Sequence, residues 1–307
     1  MIQGFDNREG KIWLNGKLVE WNDSKIHVLN HGLHYASSVF EGERAYNGKI
    51  FKSEEHTQRF FEGAQTMDME IPFTQSEILN AKKELIISNG LKDAYVRPIA
   101  WRGSEMMAVS AQKTTINVAI ASWAWPSYFD PNEKMKGIKL DIAKWRRPDP
   151  NCAPVHVKAS GLYMICTLSK HDAEAKGYSD AVMLDWRNLI AEATGANIFF
   201  KFKDGNLYTP KPDCFLDGIT RRTVIKLAKD LGVNTIEKQL RLDDIHDAEE
   251  CFLTGTAAEV TPVSQIGEDI KFTPGELSFN LMKAYEKVVN SQLSLIHISE
   301  PTRLAGI

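Results

Sequence analysis

The segment PVHVKASGLYM, residues 154–164, runs from an apolar-alternating stretch through one lysine into small residues and on towards a helix. PVHVK reads as the end of a strand, and GLYMICTLSKHDAEAKG as a helix closing at Gly177. Lys158 therefore stands at a strand–helix junction. Most lysines are solvated surface groups, and that reading is open here. The alternative is chemical. Ala159, Ser160 and Gly161 leave room for a ligand beside the amine, and a half-buried lysine that has lost its proton attacks aldehydes.

A second stretch, LIAEATGANIFF at residues 189–200, places Glu192 inside an apolar strand. A carboxylate there needs a partner, so it is either salt-bridged or functional. One functional use is to keep a pyridine nitrogen protonated. Phosphate, for its part, is held by backbone N–H groups at a helix start, and two runs qualify. Gly218-Ile219-Thr220 opens the amphipathic helix RRTVIKLAKDLG, and Gly255-Thr256-Ala257-Ala258 is a small-residue run with a hydroxyl. Ordinary caps and turns look the same in sequence. In AYVRP, Tyr95 and Arg97 share one strand face, an arrangement that suits either a carboxylate or a salt bridge. Aromatic residues gather at His34-Tyr35, Phe40, Trp125 and Tyr128, where core packing explains any single ring.

Outward from these segments the chain reads as mixed α and β. KIWLNGKLVEW is a hairpin around Asn15-Gly16, and ERAY and KIFK form a second around Asn47-Gly48. Residues 54–68 and 75–90 are helical, the latter closing at Gly90; AYVRPIAWRG, TTINVAIASW and GIKLDIAKW are strands. DAVMLDWRNLIAEATGANIFFKF reads as one hairpin with a polar turn. The proline-broken WAWPSYFDPNEK marks a junction, giving domains at 1–122 and 136–290 with a loop at 123–135. The Ser-rich 291–307 lacks an amphipathic face and is set apart as a tail foreign to the fold.

Composition narrows the class. With 307 residues, 43% hydrophobic and 25% charged, the chain has enough material for two soluble globular domains. Its net charge of −3 and scattered Lys and Arg argue against nucleic acid or a membrane surface as partner. Cys152, Cys166, Cys214 and Cys251 form no C-x-x-C pair, so buried free thiols, no metal site and a cytoplasmic location are expected. The N-terminal stretch has no apolar h-region.

HGLHYASSVFEGERAY, the HTQR of residues 56–59, AYVRP, VKASGLY, EATGAN, GITRR and GTAAEVTP stand in one order from about Trp13 to Val289. Together they resemble the branched-chain amino acid aminotransferases, fold-type IV enzymes dependent on pyridoxal 5′-phosphate. The resemblance implies an α+β fold of two domains with the cofactor in the interdomain cleft, 136–290 being the larger, cofactor-binding domain. It implies a homo-oligomer, at least a dimer, acting on branched-chain L-amino acids, L-glutamate and 2-oxo acids.

By the same resemblance Lys158 carries the cofactor and shuttles the substrate's Cα proton. Glu192 holds the pyridine nitrogen and Tyr163 the phenolic oxygen. Arg59, Gly218, Ile219, Thr220 and Thr256 hold the phosphate. Tyr95 with the backbone of Ala257 and Ala258 takes the α-carboxylate, Arg97 takes a distal carboxylate, and Tyr35, Phe40, Trp125 and Tyr128 wall the side-chain pocket. Ala196 stands where some members have glutamate, and SLIHISEPTRLAGI replaces the usual Trp-containing end. D-Amino acid aminotransferases and aminodeoxychorismate lyases share the fold type. A non-catalytic binding protein would have lost Lys158 or Glu192, and both are present.

Overall fold

Residues 4–125 and 135–290 are described by the computed structural model. Tyr128, most of the 123–135 stretch and the 291–307 tail lie outside them. The chain divides into two compact units: residues up to 125 with Pro148–Thr167, and residues from 135 to Arg147 with those from Leu168 onward. This differs from the continuous boundary read in the sequence, which assigns 148–167 to the second domain. The physical reason is local: Ala159 bridges to Val39 and the Phe40 N–H donates to the Lys158 carbonyl at 3.1 Å, which ties the segment to the first sheet.

The first unit is a seven-stranded antiparallel sheet with two long helices. Its order is Lys17–Glu20, Lys11–Leu14, Ile116–Ala124, Ala94–Arg102, Glu43–Tyr46, Lys49–Ile50, and Ser38–Phe40 also pairs with Ala94–Arg102. Both Asn-Gly hairpins form, with φ of 47° and 92° at Asn15-Gly16 and 50° and 77° at Asn47-Gly48. Two successive positive φ values are what a two-residue turn matching strand twist requires. The helices Ser53–Thr66 and Gln75–Ser88 bury Phe60, Ala64, Ile78, Ala81 and Leu85 against Val39, Val96, Val118 and Ile120. Removing one such side chain, as in Leu85→Ala, costs about 2–5 kcal/mol. Thr74 and Glu77 close a capping box at the second helix. A fully buried ion pair, Lys82 Nζ to Glu43 Oε1 at 2.5 Å, pins that helix to the strand following Gly42.

PVHVK is not a strand. Val155 and Val157 are buried, but their N–H groups turn back onto the Ala153 and Pro154 carbonyls, so the apolar alternation belongs to turns. A short 3-10 turn, Ser160–Tyr163, then leads into helix Met164–Ala175.

The second unit is a nine-stranded sheet ordered Ile190–Ala193, Asp180–Leu184, Ile138–Ile142, Glu259–Ile266, Ala248–Gly255, Asn197–Phe202, Leu207–Pro210, Thr235–Lys238, with Ile270–Lys271 beside Glu259–Ile266. Leu207–Pro210 and Thr235–Lys238 run parallel, and the crossover between them is helix Ile219–Asp230. A parallel pair needs such a connection, and it sets the helix start just past the carboxyl end of a strand. DAVMLDWRNLIAEATGANIFFKF makes three strands where the sequence pattern predicts one hairpin. A turn closed by Ala193 N–H to the Ala196 carbonyl, 2.8 Å, and by Thr194 Oγ1 on Asp180 at 2.5 Å, diverts Asn197–Phe202 to pair with Ala248–Gly255.

Cys166, Cys214 and Cys251 are buried; Cys152, in the turn at 149–152, is exposed, contrary to expectation. Among the described residues no helix is long and apolar enough to cross a membrane.

Candidate active site

In the first unit the chemistry gathers around Lys158. Its Nζ donates to the Tyr163 hydroxyl at 2.7 Å and lies 4.9 Å and 5.0 Å from the ring centroids of Phe40 and Tyr163. The neighbouring backbone is fixed by the bond to Phe40, by the Val39–Ala159 bridge and by Ser38 Oγ donating to Ser160 Oγ at 2.7 Å. Burial pushes the Lys158 amine below its ordinary value; Glu41 and Tyr95 oppose that drop, while Arg59 and Arg97 add to it. Two of the small residues after Lys158 serve packing. Ala159 is buried in the core, and a Cβ on Gly161 would stand 3.2 Å from that of Ala36.

Arg97 reaches back along its strand face, Nη2 donating to the Tyr95 hydroxyl at 3.2 Å, as the period-two reading of AYVRP predicts. Its guanidinium also lies over the Phe40 ring at 4.6 Å. Tyr95 stacks on Trp123 at 5.1 Å and packs against Trp125 at 4.9 Å. A Cβ on Gly42 would meet the Tyr95 hydroxyl at 2.0 Å, so only glycine leaves that oxygen its place. Lys158, Tyr163, Phe40, Arg97, Tyr95 and Trp125 are thus one connected set. Tyr35 is not part of it: its ring stacks on His31 at 4.5 Å and is 47% exposed.

Arg59 sits on helix Ser53–Thr66 and is gripped by Glu41, Nε to Oε1 at 2.6 Å and Nη2 to Oε2 at 2.9 Å. His56, one helical turn earlier, donates from Nδ1 to Glu41 Oε2 at 2.7 Å. Glu41 is fully buried. Burial alone would push its carboxyl up, but the Arg59 and His56 charges hold it far below the usual carboxylate range. Arg59 Nη1 is buried without a hydrogen-bond partner among the described residues.

In the second unit Glu192 is buried on strand Ile190–Ala193, with Asn197 Nδ2 at 3.3 Å and Arg147 Nε at 3.5 Å. Asn197 also donates to the Leu216 carbonyl at 3.0 Å and crowds Gly218, whose added Cβ would lie 2.2 Å from Asn197 Oδ1. Gly218 is the N-cap of Ile219–Asp230, so Ile219, Thr220 and Arg221 open that helix with N–H groups lacking intrahelical partners. Asn197 pairs across the sheet with Thr254, and Thr256, Ala257 and Ala258 form the turn just beyond. Glu192, Gly218-Ile219-Thr220 and Thr256–Ala258 therefore converge around Asn197.

Taken separately, each unit holds groups that suit pyridoxal phosphate: the first an amine whose pKa burial lowers and a buried guanidinium nitrogen open to an anion, the second a helix start and a carboxylate held between an arginine and an amide. Glu41, His56, Gly42, Asn197 and Arg147 escaped the sequence reading. The available signals were a glutamate in SVFEG and the i, i+3 spacing of His56 and Arg59.

Residues 38–266 match the amino-transferase class IV family. The chain belongs to the class IV aminotransferases. It is 44% identical over 281 residues to a probable branched-chain-amino-acid aminotransferase of Rickettsia conorii, covering 91% of this chain and 95% of that one. To the branched-chain-amino-acid aminotransferase of Pseudomonas aeruginosa it is 39% identical over 292 residues, covering 93% and 95%. Among solved structures, the branched-chain amino acid aminotransferase of Thermobaculum terrenum in its PLP-bound holo-form superposes with a TM-score of 0.84 at 28% identity, covering 93% of this chain and 95% of that one.

Proposed function

We propose that this chain reversibly transfers the amino group of L-leucine, L-isoleucine or L-valine to 2-oxoglutarate, with pyridoxal phosphate attached at Lys158. The observation that carries the reading is the Lys158 amine, buried, lowered in pKa and set against the Tyr163 hydroxyl. When bound, the cofactor supplies an aldehyde to take the amino group and a ring to absorb the electrons of the Cα–H bond. Lys158 Nζ takes the substrate Cα proton and returns it in the reverse half-reaction, a service typically worth ~10²–10⁴-fold. Glu192 holds a proton on the ring nitrogen, and Tyr163 orients Lys158 and the phenolic oxygen. Arg59, Ile219, Thr220 and Thr256 hold the phosphate, with Gly218 giving the helix its start.

Tyr95 with the backbone of Ala257 and Ala258 receives the α-carboxylate. Phe40 and Trp125 wall the side-chain pocket, joined by Tyr128. Arg97 takes the distal carboxylate of glutamate; its contacts to Phe40 and Tyr95 give it a resting place when an apolar side chain is bound.

The working form is a homodimer in the cytoplasm. Ile26, Val28, Leu29, Leu33, Tyr35, Met107 and Val109 are large exposed apolar residues on segments tied by His31 Nε2 to the Ala108 carbonyl at 2.9 Å, which supports self-association. Light scattering should give twice the chain mass, and Leu33→Glu should shift it to the monomer.

Borohydride should bleach a visible band and fix the cofactor's mass on the peptide containing Lys158. Initial rates should favour L-leucine with 2-oxoglutarate over D-alanine and aminodeoxychorismate. A chain that shows no band, or that prefers D-alanine, contradicts the reading.

A further inference from the structure

We propose that Glu41 is a positioning residue for the phosphate arm of the site: it locks the Arg59 guanidinium, with His56 as brace, so that the edge carrying Nη1 is turned to meet an anion. The inference rests on the proposed function, since the anion is the phosphate of pyridoxal phosphate.

The geometry divides the guanidinium into two edges. Glu41 occupies Nε and Nη2 at 2.6 Å and 2.9 Å, the parallel two-bond grip that selects one orientation of an otherwise flexible side chain. His56 Nδ1 and the Gly42 N–H also donate to Oε2, at 2.7 Å and 3.3 Å, which keeps the carboxylate from swinging away. Glu41 is itself fixed, its N–H donating to the Pro98 carbonyl at 2.9 Å on strand Ala94–Arg102. On the opposite edge Nη1 is buried and without a hydrogen-bond partner among the described residues. A guanidinium nitrogen in that state is costly unless something occupies it.

The neighbours of Glu41 give the placement its meaning. Phe40 lies under both Lys158 and Arg97, and Gly42 makes way for the Tyr95 hydroxyl. Three consecutive residues thus set the amine's ring contact, the phosphate arm and the seat of Tyr95. Glu41 is also the carboxylate that acts most strongly on Lys158, where Arg59 and Arg97 are the opposing cations. Removing its charge therefore loosens Arg59 and makes the Lys158 amine more acidic.

The test compares two aldehydes on the resolved apo-enzyme, pyridoxal phosphate and pyridoxal, which lacks the phosphate. Absorbance titration gives the affinity of each at Lys158. Glu41→Gln should cut the preference for pyridoxal phosphate over pyridoxal by about tenfold or more, since the charge-assisted grip acts on the phosphate arm while the change at the Lys158 amine is common to both aldehydes. Arg59→Met should reduce the same preference, and Glu41→Gln should add nothing to it in the double variant. If Glu41→Gln does not yield folded protein, His56→Gln takes its place, with the preference expected to fall about threefold. A phosphate preference that survives Glu41→Gln, equal weakening of both aldehydes, or additivity with Arg59→Met overturns the inference and leaves the proposed function standing. A wild type that captures neither aldehyde at Lys158 overturns both.

Discussion

The amine of Lys158 and the hydroxyl of Tyr163 lie 2.7 Å apart, joined across a single 3-10 turn. The turn fixes the reach of the amine, because the phenol is carried by the very next element. Tyr163→Phe is expected to lower kcat about tenfold while leaving KM for L-leucine within about threefold, as a group that aims the amine acts on turnover rather than on ground-state binding. Steady-state kinetics checks this; unchanged kcat would remove Tyr163 from the proposed role.

The distal-carboxylate role proposed for Arg97 can be tested on the two substrate classes separately. Arg97→Met keeps the length of the side chain over Phe40 but removes the charge. The half-reaction with L-glutamate should lose about 10-fold to 100-fold in kcat/KM, the worth of a charge-assisted pair, with L-leucine little affected. Single-turnover rates with each amino acid decide it. Equal losses would place the distal carboxylate elsewhere.

Gly42→Ala makes the contrasting case. The new methyl would lie 2.0 Å from the Tyr95 hydroxyl, which is packed between Trp123 and Trp125 and cannot retreat without disturbing both. KM should rise together for leucine and glutamate, since both present the same α-carboxylate, and stability should fall by about 1–3 kcal/mol through overpacking. Kinetics with both substrates and urea midpoints measure the two effects.

The pH dependence of stability follows from Glu41. A free glutamate titrates near about 4.3. In the fold, burial alone would raise this, but Arg59 and His56 depress it strongly. The unfolded chain then binds the proton first as pH falls, so the contribution of this group is full above about pH 5 and drains away as pH drops below the unfolded value. The gap in urea midpoint between wild type and Glu41→Gln should be constant from pH 7 to about 5 and narrow below it. A gap that widens in acid would show the sign to be wrong.

Much of the first sheet was legible because its signals are local. Asn15-Gly16 and Asn47-Gly48 specify their turns within four residues, and Tyr95 and Arg97 follow from strand periodicity alone. The grip of Glu41 on Arg59 was not legible, since the partners are 18 residues apart and on different elements. Nor could alternation distinguish strand from turn at Val155 and Val157, because a tight turn also sends successive side chains to opposite sides. Thr194-Gly195 reads like part of a continuous strand, and only the bond from Thr194 to Asp180 shows the change of direction. The family motifs named residues on both units; EATGAN ends on Asn197 but gave it no role, and only the fold shows the motifs of the second unit gathering around it.

Ser38 and Ser160, whose hydroxyls meet at 2.7 Å, are 122 residues apart in the chain. Every hairpin of the first sheet closes over a much shorter span, so this contact is among the unit's most distant in sequence. Lys158 is consequently joined to its sheet only after the chain has passed through the second unit's first strand, Ile138–Ile142, a closure of high sequence separation. Severing the chain between the sheet and residue 158 would withdraw Ala159 from the first unit's core together with the amine.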